Sequence, residues 1–549
     1  MSERFTVGDL VAEFLERCAS PMAFGVISIH NMPILDAIAR RNRLRFVPAR
    51  GEAGALNMAD GYTRVSGGLG IAITSTGTAA GNAAGALVEA QTAGTPLLHL
   101  TGQIETGYLD RNCAYIHEAR DQLGMLRAVS KAAFRLQSPE SALPVLREAV
   151  ATARSAPSGP VSVEIPIDIQ AATVDPSDDL EPVAPAPVQP DPDALDALAR
   201  ALSGTRRPLL WLGGGARHAD EPVARLVEMG FGVVTSTNGR GILPEDHAMT
   251  LGAFTMQPAI EAFYATCDAM LVVGSRLRGN ETLKYALKLP KPLYQIDADL
   301  LGRSQTYPMD DYVTGDAALA LTGLADRLQG KFSADPAFAA DLKQAADAAA
   351  ADLRAGLGPY ESLVDTLQQH LDRDFVWVRD VTISNSTWGN RLLKISGPRD
   401  GVHALGGGIG QGLQMGIGAA LAAGGRRTVS LVGDGGLQVN SGELATAVQE
   451  QADLLLLVMN SGGYGVIKNI QDAHYGGRHC YVDLLTPDLE KLCQSVGMRF
   501  SRLQSIVEFQ SLLEAALAKP GPAMIEVDMA AIGPFARAFA GPPARKEAR

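Results

Sequence analysis

Short apolar runs that do not alternate with polar residues recur along this chain, and each ends abruptly in small or polar residues. LRFVPAR (44–50), PLLWLGGG (208–215), GVVTSTN (232–238), AMLVVGS (269–275), PLYQID (292–297), TVSLVGD (428–434) and LLLLVMN (454–460) are of this kind. Continuous runs of this length read as strands covered on both faces. Stretches of helical composition, such as EAGALNMADGY after the first run and SGELATAVQEQ between the last two, separate them. Strand and helix signals alternate in every part of the chain, which predicts α/β units built on open parallel sheets.

Two breaks in composition divide the pattern. Residues 171–193, AATVDPSDDLEPVAPAPVQPDPD, are rich in proline and acid and predict an extended linker. Residues 331–359 are an alanine-rich helical connector that ends at Gly-Pro. Three open α/β domains are expected, over 1–180, 191–335 and 355–540, and a chain of 549 residues has the length for three cores. Lysine and arginine number 48 against 60 acidic residues, a net charge of −12 without a basic run, which argues against nucleic acid or an anionic membrane as partner. The N-terminal MSERFTVGDLVAEFLERC reads as a charged amphipathic helix rather than a signal peptide, and no apolar stretch has the length of a membrane span. A cytoplasmic protein is expected. Cys18, Cys113, Cys267, Cys480 and Cys493 are scattered without a CxxC pair, so buried thiols are expected rather than a disulfide frame or zinc site.

The segment 431–465, LVGDGGLQVNSGELATAVQEQADLLLLVMNSGGYG, carries the candidate chemistry. Its two strand runs flank a GG turn and a helix, a βαβ unit, and in a parallel sheet the two strand ends lie side by side. Asp434 is thereby brought near the Asn460-Ser461 turn at the edge where such sheets bind ligands. Hard cations take oxygen ligands and retain phosphate in their shell, and glycines let backbone approach an anion. On the residues alone, a plain βαβ with a glycine-rich turn serves equally well. The same holds for Glu52, between LRFVPAR and a helix: it is either a dipole-stabilised helix N-terminal glutamate or a strand-end residue aimed into a cleft.

Four segments in order remove that ambiguity by resemblance. They are VPARGEAGALNMADGYTRVSG (47–67), ITSTGTAAGNAAGALVEAQTAGTPLLHLTGQ (73–103), HALGGGIGQGLQMGIGAALA (403–422) and 431–465. Together they resemble the thiamine diphosphate (ThDP) enzymes of the pyruvate oxidase, acetolactate synthase and benzoylformate decarboxylase superfamily. The resemblance implies a pyrimidine-binding domain, a central Rossmann-like domain and a diphosphate-binding domain. It puts the family's indispensable glutamate at Glu52. The ring-wedging apolar residue falls on Ile409, and a backbone acceptor for the pyrimidine amino group on Gly407. Further cofactor contacts are implied at Ser75, Asn82, Gly433, Gly435, Gly436, Tyr464 and Gly465. Asp434, Ser461 and the carbonyl of Gly463 are implied as ligands of magnesium. Relatives usually have asparagine where Ser461 stands, so this ligand is a neutral hydroxyl here. The family also implies a homodimer or homotetramer with active sites between subunits.

Substrate signals are thinner. His30 and Asn31 fall on the family's pocket loop, His117 replaces a glutamine of acetolactate synthases, and two histidines facing the cofactor would relay protons near neutral pH. A purely structural role for either histidine remains open on the residues. Ile29, Ile467 and Ile470 are expected to line an apolar pocket for a small carbonyl substrate. Ser75 stands where benzoylformate decarboxylase has a histidine, which argues against that specificity. The expected activity is cleavage or formation of a carbon–carbon bond next to a carbonyl, in a 2-oxo acid or acyloin, by an acetolactate-synthase-like decarboxylase or carboligase. Two alternatives are a lyase similar to benzaldehyde lyase or 2-hydroxyacyl-CoA lyase, and a non-catalytic ThDP-binding relative. The central domain, with Arg276 and Asp297, leaves FAD, ADP or no second cofactor open.

Overall fold

The structure, a computed structural model, describes residues 5–371 and 374–541. Its strands form three parallel sheets with helices between strands. In the first, β1 (Met22–Gly25), β2 (Arg45–Pro48), β3 (Gly70–Thr74), β4 (Leu97–Gln103), β5 (Ala132–Arg135) and β6 (Pro160–Pro166) take the order β2-β1-β3-β4-β6-β5. The second orders β7 (Pro208–Leu212), β8 (Gly232–Thr235), β9 (Ala269–Val273), β10 (Leu293–Asp297) and β11 (Asp311–Thr314) as β11-β10-β9-β7-β8. The third holds β12 (Phe375–Arg379), β13 (Gly401–His403), β14 (Arg427–Gly433), β15 (Leu454–Asn460), β16 (Arg499–Leu503) and β17 (Ala523–Asp528). Its order, β13-β12-β14-β15-β17-β16, is that of the first sheet with every strand replaced by its counterpart. The outer two units are one topology used twice.

Continuous apolar runs became buried strands because helices cover both sheet faces. β3, β4, β6 and β7 are buried along their whole lengths. Of the expected linker 171–193, residues 172–191 are free of helix, while its ends fall in the helices Ile167–Ala171 and Pro192–Ser203; the connector carries the helix Phe338–Ala355. The N-terminal helix Val7–Arg17 starts at a capping box of Thr6 and Asp9. Cys18, Cys267 and Cys493 are buried thiols as expected, but Cys113 and Cys480 are exposed. Among the described residues no helix is long and apolar enough to cross a membrane.

The outer units meet through their corresponding helices, Glu52–Ser66 after β2 and Gly412–Ala422 after β13. A Cβ on Gly61 would stand 2.3 Å from the carbonyl oxygen of Met415, and one on Gly418 1.9 Å from that of Met58. Backbone touches backbone in a reciprocal crossing that only glycine permits. One apolar cluster runs through this contact, joining Leu56, Met58 and Leu87 to Leu413, Ile417 and Val432. Another core joins Tyr264 and Phe338 to the stacked Trp377 and Trp388.

Candidate active site

β14 and β15 pair with Gly433 opposite Met459, so their ends bring Asp434 and the 460–463 turn together. Asp434 is buried, and its carboxylate accepts from the backbone N–H of Ser461 at 3.1 Å and of Gly463 at 2.8 Å. The hydroxyl of Thr486 donates to it at 3.0 Å. The expectation that Gly435 and Gly436 turn the chain ahead of the helix needs correcting. Asp434 is itself the first residue of the helix Asp434–Val439, and a second helix, Glu443–Gln449, follows a break. Glycine is required here for space: a Cβ on Gly435 would stand 2.9 Å from the Tyr464 ring, and one on Gly463, at φ +141°, would stand 2.1 Å from the carbonyl of Val482. The carbonyl oxygen of Gly463 lies 3.3 Å from that same Gly435 Cβ position, and Ser461 Oγ 2.9 Å from that of Gly465. Asp434 and the 461–463 turn thus lie side by side, and their carboxylate, hydroxyl and backbone carbonyl are oxygens of the type a hard cation takes. Asn460 is committed elsewhere, donating to Glu526 at 2.6 Å and accepting from the N–H of Gly462 at 3.1 Å.

Glu52 opens its helix behind the N-cap Gly51, and Asn82 Nδ2 donates to its carboxylate at 3.1 Å. The structure therefore joins two of the expected residues directly. In the third unit the loop after β13 carries Gly407 at φ +83° with open space where a Cβ would be, followed by Ile409, an isoleucine left 40% exposed. A buried residue that the sequence did not signal shapes this loop: Asp380, just past β12, accepts the N–H of Gly410 at 3.1 and 3.0 Å. Burial pushes its carboxyl up to about 6, against the lowering effect of the amides of Val381, Gly412, Gly410 and Gln411.

His30 and His117 come together, their ring centroids 5.0 Å apart in an edge-on arrangement. His30 is buried, and its Nδ1 has no hydrogen-bond partner among the described residues. Burial first, then the neighbouring His117, holds its pKa below the ordinary histidine value. His117 is exposed on a left-handed residue at φ +65°. Ser75 Oγ is likewise buried without a partner among the described residues. Asn31 is not brought into this group by its side chain, which braces its own loop by donating to the carbonyl of Val26 at 2.9 Å and accepting from the N–H of Ser28 at 2.8 Å. Ile29 is 68% exposed beside His30; Ile467 and Ile470 lie on the helix Gly465–His474, with Ile467 46% exposed.

Where the three units meet lies a cleft of about 730 Å³ lined by Arg217, Arg276, Arg278, Asp297 and Arg399 among others. Arg276 donates to the carbonyl of Thr92 at 3.1 Å, while Asp297 accepts from the N–H of Asp299 at 3.1 Å. Burial raises the Asp297 carboxyl above its ordinary value.

The fold defines a duplicated α/β protein whose two like sheets carry the candidate residues just past their strand ends. Family comparison matches residues 5–125 to the thiamine pyrophosphate enzyme N-terminal TPP binding domain, 195–324 to the central domain and 382–527 to the C-terminal TPP binding domain. The chain is 32% identical over 537 residues to a probable 2-ketoarginine decarboxylase of Pseudomonas aeruginosa, covering 95% of this chain and 94% of that protein. It is 26% identical over 534 residues to the acetolactate synthase isozyme 1 large subunit of Escherichia coli, covering 96% and 94%. Acetolactate synthase 3 of Brassica napus is 26% identical over 546 residues, covering 94% and 83%. The chain belongs to the ThDP-dependent enzymes of the acetolactate synthase and pyruvate oxidase superfamily.

Proposed function

We propose that this protein is a magnesium- and ThDP-dependent decarboxylase or carboligase that acts on a 2-oxo acid. Two local arrangements support the reading: Asp434 held against the Ser461–Gly463 turn, and the Glu52 carboxylate braced by Asn82. Bound ThDP supplies a carbon nucleophile that adds to a carbonyl and then takes up the electron pair released when the adjacent bond breaks. Asp434, Ser461 and the Gly463 carbonyl would hold the metal that neutralises the diphosphate. Glu52 would hold a proton at the pyrimidine ring, the Gly407 carbonyl would accept from its amino group, and Ile409 would pack against the rings. Open space at Gly407 and the unpartnered Ser75 Oγ and His30 Nδ1 fit such an occupant. His30, kept neutral, accepts and returns a proton at the substrate oxygen with His117 as its neighbour.

The substrate's far end is read from Glu105. Its Oε1 accepts from the Tyr115 hydroxyl at 3.2 Å, and its Oε2 is buried without a hydrogen-bond partner among the described residues. A partly buried, half-satisfied carboxylate whose charge reaches His30 favours a cationic substrate group, and guanidinium suits a carboxylate. The probable 2-ketoarginine decarboxylase acts on a substrate of that kind, as its name states. The arginine-lined cleft, about 730 Å³, has the charge and size for an ADP-containing ligand. Carbon dioxide and aldehyde release should be measured from pyruvate and from 2-oxo-5-guanidinopentanoate, with magnesium and after chelation. Glu52→Ala should lose about 100-fold or more in kcat, in the range of general acid–base effects. Equal turnover by both forms, or turnover untouched by chelation, would sink the reading.

A further inference from the structure

The duplicated topology gives the two cofactor-facing loops the same address. Glu52 is the fourth residue after β2, and Gly407 the fourth after β13, in corresponding places of two sheets with one strand order. Each loop is held from the opposite unit by one buried glutamate. Glu443, at the start of the second helix after β14, accepts the backbone N–H of Arg50 at 2.9 Å and of Gly51 at 3.1 Å, the second and third residues after β2. Glu89, in the helix after β3, accepts the N–H of Leu405 at 2.7 Å and of Gly406 at 2.6 Å, the second and third residues after β13. β3 and β14 are themselves counterparts, so the two braces are images of each other.

The surroundings are built for these contacts. Glu443 is 2% and Glu89 2% exposed. A Cβ on Gly54 would stand 2.2 Å from Glu443 Oε1, and one on Gly406 2.7 Å from Glu89 Oε2, so both glycines clear space for the carboxylates. Glu89 is charge-balanced by Arg64, which donates to it at 2.9 Å and also binds Asp60. Glu443 receives the Thr446 hydroxyl at 2.5 Å, with Arg50 donating to that hydroxyl at 3.0 Å. Removing an acceptor would orphan buried amide donors, so each loop would move to re-satisfy them.

We infer that Glu89 and Glu443 are a reciprocal pair of positioning residues, each anchored in one half of the duplicated fold and fixing the loop by which the other half grips the pyrimidine. The inference rests on the roles proposed above for Glu52 and Gly407. Its two members differ in a way that makes it testable. Both N–H donors on Glu443 reach a single oxygen, Oε1, so glutamine keeps that acceptor and turns its amide toward the Thr446 hydroxyl. Glu89 splits its donors, Leu405 to Oε1 and Gly406 to Oε2, so glutamine must set an NH₂ group against an N–H.

Amide hydrogen exchange of peptides spanning 45–56 and 401–411, on the full chain without cofactor, reads loop position directly. ThDP affinity and kcat are measured on the same proteins. Glu443→Ala should speed exchange in 45–56 alone and lower kcat about tenfold, and Glu443→Gln should rescue both. Glu89→Gln, nearly isosteric and so expected to fold, should speed exchange in 401–411 alone, with about a tenfold loss in kcat or ThDP affinity. Wild-type exchange in Glu89→Gln, or altered exchange with kcat and ThDP affinity unchanged, overturns the inference. Full turnover by Glu52→Ala alongside the expected exchange pattern would instead refute the role given to Glu52.

Discussion

At the scale of single residues, the metal site proposed above depends on which oxygens surround Asp434. Ser461 offers a hydroxyl where the family resemblance implies an asparagine amide, while the backbone N–H of the same residue already bonds Asp434. Ser461→Asn would add a carbonyl ligand without disturbing that N–H. It should tighten magnesium several-fold, roughly 1 kcal/mol or less, measured by titrating metal into the enzyme with ThDP present; a weaker affinity would show that the serine is the better ligand, and an equal one that the side chain at 461 does not ligate the metal. The apolar runs placed Asp434 and Glu52 just past strands, but only the family resemblance singled them out from other strand-end residues. Thr486 and Asp380 were not legible, since each lies dozens of residues from its partner and only folding brings it near. Asn31 shows the opposite failure, a polar residue in the right loop whose side chain is consumed by that loop.

At the scale of elements, the crossing of Glu52–Ser66 with Gly412–Ala422 sets the distance between the outer units. Both helices are built from small residues where they touch, and their reciprocal glycines leave no room for a methyl group. Gly418→Ala should destabilise the protein by at least the 1–3 kcal/mol or so typical of overpacking, read as a lowered midpoint in thermal or denaturant unfolding. An unchanged midpoint would mean that the helices can separate freely. The strands and helices themselves were plain from the apolar runs, but helix boundaries near the site were not. Asp434 lies inside a helix rather than ahead of a turn because its carboxylate holds the neighbouring loop while its backbone begins the helix.

At the scale of the whole molecule, apolar side chains stay exposed around both halves of the site. Ile27, Ile29 and Ile116 flank the histidine pair, and Ile409, Ile467 and Leu485 flank the clamp, from 40% to 94% exposed. Groups of this kind mark surfaces for association, and we expect a second copy of the chain to cover them. Light scattering coupled to size exclusion should give a dimer or tetramer at micromolar concentration, whereas an active monomer would contradict the shared site.

The sequence by itself determined the parallel α/β class with its three sheets, because burial on both sheet faces is a local property of the chain. Only the tertiary structure decided that the outer units repeat one strand order. It alone paired His30 with His117, and set Glu89 and Glu443 as mirrored braces. Those relations join residues tens to hundreds of positions apart, and no local pattern of apolar and polar residues encodes which helix will pack against which.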